Sequence, residues 1–241
     1  MSKYNSYGLL NWDMSPMECM GGYTSASFLK QCDGYSEAKT GDVFAAKGIF
    51  EKCVKKECMK NIREKYPDSI LLPVMSHTNA LPLSFAMHRG LPVCTNAWID
   101  RGERRKEMNA MQRILNSPTF QGYIQPNKSY ILVDDVVTQG GTIMALRQFV
   151  LDSGGQANAA VAIAYIKSGK TIVPTHENID RFYAKFGGCI SDLFYDFINP
   201  FETVSLSNSQ VQYLLKFSSV EQMRKKAMSC YATAKETILC Y

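Results

Sequence analysis

The stretch Tyr130–Leu146, YILVDDVVTQGGTIMAL, sets two adjacent acids behind an apolar run and follows them with a glycine pair flanked by threonines. The run SYILVDD (129–135) has the unbroken apolar character of a strand covered on both faces. TIMALRQFVLDSGG (142–155) has helical spacing and a glycine stop. Between them, Gly140 and Gly141 permit a tight turn with its backbone amides exposed, and Thr138 and Thr142 add hydroxyl donors. A helix start favours an anion by about 0.5–2 kcal/mol, so the loop reads as a phosphate cradle. Asp134 and Asp135 would repel a second phosphate but accept hydrogen bonds from vicinal hydroxyls, as on a ribose. A ribose 5-phosphate suits both halves of the stretch; the plainer alternative is a strand-end acid pair that caps a loop.

Working outward, strands and helices alternate. SILLPVMS (69–76) predicts a strand, ALPLSFAMHRG (80–90) a helix closed by Gly90, LPVCTN (91–96) a second strand and ANAAVAIAYI (157–166) a fourth. Such alternation, with near-continuous apolar strands, argues for an α/β fold with a parallel sheet covered on both faces. Ligands in these sheets gather at the carboxyl ends of the strands, where Asp134 and Asp135 stand. Upstream, residues 42–66 read as one amphipathic helix capped by Asp42 and ended by Pro67. Residues 97–127 are polar and basic with a helical middle, KEMNAMQRIL, and residues 1–41 have no clear period. The C-terminal stretch from Ser191 reads as two or three amphipathic helices, the first clear one capped by Ser207 or Ser209.

Whole-chain properties narrow the function classes. At 241 residues the chain is long enough for one domain with appendages. Its 46% hydrophobic and 20% charged content are those of a folded protein. The longest apolar runs fall short of a membrane span and the polar start lacks a secretory pattern, so the cytoplasm is the expected location. A net charge of +5, spread along the chain, supports nucleic-acid binding only weakly and suits a small anionic ligand equally well. Eight cysteines without a CxxC pair or a zinc-finger histidine read as reduced thiols.

ILVDDVVTQGGT (131–142) resembles the phosphoribosyl pyrophosphate (PRPP) motif of type I phosphoribosyltransferases, apolar residues followed by D-D-x-x-T-x-G-G-T. The resemblance extends over about residues 69–168. It implies a Rossmann-like parallel sheet core of that family, with a variable hood built from residues 1–68 and 169–241 on a single domain. By resemblance, Asp134 and Asp135 hold the ribose hydroxyls, and Val136, Val137, Thr138, Gln139, Gly140, Gly141 and Thr142 form the 5-phosphate loop. Mg²⁺ would bridge pyrophosphate and ribose oxygens beside Asp134 and Asp135. The family's pyrophosphate loop corresponds to Ser76, His77, Thr78 and Asn79, where this chain lacks the lysine or arginine that many members carry. His77 is either a ligand contact or an ordinary loop histidine. A catalytic loop of basic residues corresponds to Arg101, Arg104, Arg105 and Lys106, with a solvated helix start as the alternative. The implied activity is transfer of 5-phosphoribosyl to a nitrogenous base with release of pyrophosphate; a non-catalytic PRPP-binding regulator is the alternative. Family members are often dimers, and no interface is legible here.

Some features stay outside this reading. AYIKSGKT (164–171) fits a loose nucleotide-loop pattern, but TIVP follows where that mechanism needs a helix. Lys167 and Lys170 read as surface lysines or as base or phosphate contacts beyond the fourth strand. Phe194, Tyr195, Phe197 and Phe201 read as packing against the sheet or a stacking platform, and Trp98 is a candidate ligand-facing aromatic.

Overall fold

The computed structural model describes residues 10, 12–88, 90–101, 108–166, 171–187, 197 and 204–239, with side chains described except at 56–59, 101 and 231–239. In chain order the first elements are β1 (Glu18–Gly21), α1 (Ala26–Gln31), α2 (Tyr35–Lys39), α3 (Val43–Cys53), α4 (Lys56–Lys65), β2 (Ile70–Pro73) and α5 (Leu81–Met87). They are followed by β3 (Ala97–Arg101), α6 (Ala110–Leu115), β4 (Thr119–Gly122), β5 (Ser129–Val137), α7 (Gly141–Asp152) and β6 (Gln156–Tyr165). Among the described residues three further helices follow: α8 (His176–Phe186), α9 (Asn208–Leu214) and α10 (Val220–Leu239).

The main sheet is parallel throughout, in the order β1-β6-β5-β2. This is the α/β architecture expected from the alternating pattern. β5 sits inside it, and its side chains divide by parity. Ile131 and Val133 join the core formed with α3 and α5, whereas Tyr130 and Leu132 join the core on the α7 side. From β2 the chain passes outward to the bridge at Val93, while from β5 it passes the other way to β6. The gap at the carboxyl ends of β2 and β5 is therefore a topological switch point, where open α/β sheets form their crevice. A third core, with Trp12, Phe182, Val211 and Leu214 buried in it, joins α6 and α8–α10. There the Trp12 indole N–H donates to the Tyr183 hydroxyl at 2.6 Å.

Several expectations are corrected. Residues 42–66 form two helices rather than one, because buried Val54 and then Lys55 adopt extended backbone between them. Asp42 does cap the first, accepting from the Phe44 and Ala45 amides at 2.8 and 3.0 Å. Residues 91–96 make only a single bridge, Val93 to Leu71, held by Leu71 N–H to Pro92 and Cys94 N–H to Leu71. The polar interval 97–127 contains an antiparallel pair, β3 with β4, besides the short helix α6. Within residues 1–41, which show no clear period, β1 forms an edge strand of the main sheet. Residues 171–175 are not helical, in keeping with rejection of the nucleotide-loop pattern. No helix among the described residues is long and apolar enough to cross a membrane. Cys19, Cys32, Cys53, Cys94 and Cys230 are free thiols.

Gly21 ends β1 at φ +103, and a Cβ there would lie 2.1 Å from the Ala162 carbonyl oxygen. Gly21→Ala is expected to lower unfolding free energy by about 3 kcal/mol or more, measured by urea denaturation.

Candidate functional site

The parity that buries β5 also aims its acids. Asp135 follows Ile131 and Val133 toward the N-terminal helices, and Asp134 follows Tyr130 and Leu132 toward the α7 side. Both carboxyls are buried, Asp134 at 8% and Asp135 at 4% exposure. Asp135 finds two side-chain nitrogen donors, Lys39 Nζ, 2.9 Å from Oδ2, and Asn79 Nδ2, 3.2 Å from Oδ1, and shares a third side-chain hydrogen bond with the Asp134 carboxyl. Asp134 Oδ1 accepts the backbone N–H of Asp135 at 2.9 Å.

These surroundings split the pair electrostatically. Burial, reinforced by the negative charge of Asp135, pushes the Asp134 carboxyl well above the usual carboxylate range. Burial also pushes Asp135 upward, but the charge and hydrogen bond of Lys39 outweigh it and hold this carboxyl below its ordinary value. On Lys39, burial favours the neutral amine and Asp135 more than reverses that, so the ammonium is retained. The two carboxyls are thus pushed in opposite directions, Asp134 up by burial and mutual repulsion and Asp135 down by the lysine charge set against it.

Beyond the acids the chain turns through Gly140, at φ +79, into α7. The first N–H to close inside this helix is that of Met144, to Gly140 O. The first turn of the helix, from Gly140 to Ile143, is its anion-favouring end. The C-terminal region supports this turn. Ser207 and Gln210 form a reciprocal capping box on α9. The Ser207 hydroxyl also donates to the Gln139 carbonyl. A Cβ on Gly141 would meet Gln210 Nε2 at 2.7 Å, and one on Gly140 would meet Ile172 Cγ2 at 3.1 Å, so both glycines allow close packing against this support.

A cavity of about 390 Å³ joins these parts, a volume in the range of small-molecule sites. Asp134, Asp135 and all of Val136–Thr142 line it, together with Ser76, Thr78 and Asn79. His77 is exposed and outside that lining. Ile99 rather than Trp98 lines the cavity from β3. Arg104, Arg105, Lys106, Lys167, Lys170, Phe194, Tyr195 and Phe201 lie outside the described residues, as does the side chain of Arg101. Phe197 packs against the helical core. Sequence reasoning missed Lys30, Tyr35 and Lys39, which reach the cavity from the N-terminal helices, and Arg113, which reaches it from α6. Nothing in the local pattern around these residues marks them; only the chain's path brings them in.

The residues present do not fit a divalent ion held by the acid pair. Each oxygen of Asp135 already has a protein donor, one of them an ammonium. Among the described residues no group of three or more His, Cys, Asp or Glu is placed to hold a metal ion.

No family model matches the chain. It is similar to Protein TraN of Escherichia coli, 30% identical over 52% of this chain and 30% of TraN. An uncharacterized protein of Haemophilus influenzae is 24% identical over 48% of this chain and 28% of its own. The chain therefore spans less than a third of the length of these curated relatives. Among solved structures it is similar to the adenine phosphoribosyltransferase of Saccharomyces cerevisiae, 16% identical over 52% of this chain and 72% of that one, with a TM-score of 0.35.

Ser207→Ala removes both the α9 cap and the bond to Gln139, and is expected to cost about 1–2 kcal/mol in urea unfolding.

Proposed function

We propose that the chain binds PRPP and transfers its 5-phosphoribosyl group to a nitrogenous base or related nucleophile, releasing pyrophosphate. The observation that carries this reading is the acid pair and the glycine turn meeting in one cavity at the switch point of the sheet. The turn at the start of α7 suits a 5-phosphate through its amides and the hydroxyls of Thr138 and Thr142. In the same cavity, the Asp134 and Asp135 carboxyls would accept ribose O–H groups. Ser76, Thr78 and Asn79 line the wall where pyrophosphate would lie, with Lys30 and Lys39 supplying positive charge.

The chemistry asks for positioning more than covalent work. The anomeric carbon–oxygen bond breaks with its electron pair leaving on pyrophosphate. A nitrogen lone pair attacks the opposite face of the same carbon, inverting it, and the nitrogen's proton passes to solvent. Fixing sugar and phosphate at both ends aligns this displacement. Arg113 and Ile99, which also line the cavity, would border the acceptor.

A regulatory PRPP-binding protein is the second reading, favoured by the lack of any lysine or arginine within Ser76–Asn79. Both readings require PRPP to bind at the acids, and only the first requires its turnover.

PRPP is expected to raise the melting temperature of the wild type by a few degrees, about 1–2 kcal/mol of linkage, and of Asp134→Asn/Asp135→Asn hardly at all. Pyrophosphate release measured against purines, pyrimidines, orotate, nicotinate and small amines then separates transferase from regulator. A shift that survives in the double variant would remove the acids from the site.

A further inference from the structure

The polar groups around Asp135 contain their own cation. Lys39 Nζ lies 2.9 Å from Asp135 Oδ2, and the lysine side chain is only 15% exposed. Its position is fixed by backbone contacts. Ala38, fully buried beside it, accepts the N–H of Ala80 through its carbonyl at 2.9 Å, which ties α2 to the start of α5 and the Ser76–Asn79 loop. Lys39 therefore projects from a docked helix into the same cavity as that loop and the turn before α7.

Charge and coordination argue together. A carboxylate has about four lone-pair positions; on Asp135, Lys39 and Asn79 use one on each oxygen and the Asp134 carboxyl uses a further one. The remaining position can accept a sugar hydroxyl. A divalent ion placed against the same carboxylate would sit next to an ammonium that already neutralises it, in a buried site where screening is weak. Among the described residues no third His, Cys, Asp or Glu joins Asp134 and Asp135 to offset that repulsion.

Resting on the reading of this cavity as a PRPP site, we propose that Lys39 is its resident cation, standing where resemblance would put Mg²⁺, so that the chain binds PRPP without added metal. Lys39 keeps Asp135 charged and oriented for the ribose and turns its remaining donors toward the pyrophosphate. It supplies from α2 the positive charge that Ser76–Asn79 lacks.

Titration calorimetry of the full chain with PRPP, in excess Mg²⁺ and in EDTA, tests this. The wild-type dissociation constant is expected to agree between the two buffers within about threefold. Lys39→Met is expected to weaken binding in EDTA by at least about tenfold and to regain part of it with Mg²⁺, whereas Lys39→Arg retains metal-free binding. Mg²⁺ titrated alone into the wild type is expected to give no saturable heat. A wild type that loses about tenfold or more in EDTA, or a Lys39→Met that binds in EDTA as the wild type does, would overturn the role of Lys39 and leave the PRPP reading standing. Absence of PRPP binding by the wild type in both buffers would overturn both. Should Lys39→Met fail to fold by circular dichroism, the wild-type and Lys39→Arg comparisons decide.

Discussion

Two carboxyl groups at the end of a strand buried on both faces are costly to place, since burial disfavours each charge and their proximity disfavours having two. The molecule meets that constraint with a lysine. Lys39 and Asn79 hold Asp135 charged, and Asp134 shifts toward its neutral form. Much of the architecture around the cavity follows from this arrangement. α2 must dock where its lysine reaches β5, and its tie to Ala80 brings the Ser76–Asn79 loop to the same place.

The turn after the acids has a corresponding need. A loop tight enough to present amides uses glycines at 140 and 141, and glycines alone give a loose loop. The chain supplies rigidity from 65 or more residues downstream, where the α9 capping box packs against Gly141 and Ser207 bonds the Gln139 carbonyl. Midway along α7, buried Arg147 donates to the Asp13 carbonyl at 3.1 Å and to the Ser15 carbonyl at 2.6 Å, fastening the N-terminal stretch to the same helix. Regions at both ends of the chain thus brace one strand, one turn and one helix.

This division explains what could be read from sequence. β5, α7 and β6 are long and periodic, and the acids and glycines lie on them in one local run, so that part of the site was legible together. β1 was not: it is a four-residue edge strand, half-buried throughout, with no alternation to detect. The β3 signal was present but short, with Ala97 and Ile99 buried on alternate positions in a stretch read as polar and basic. Lys39 was illegible for a different reason. It is one of 27 lysines and arginines, on a five-residue helix 96 positions from Asp135, and only tertiary structure pairs them. Ser207 was half legible, because the capping box shows in sequence and its contact with the turn does not.

The claim that strand end and turn together form a sugar-phosphate site is met most directly by a crystal structure with ribose 5-phosphate, which carries both recognition groups and no pyrophosphate. The expected result is phosphate on the amides of Gln139–Thr142, with two ribose hydroxyls about 3 Å from the carboxyls of Asp134 and Asp135. A sugar phosphate seated elsewhere in the molecule, or held at the turn with its hydroxyls turned away from both acids, would contradict it.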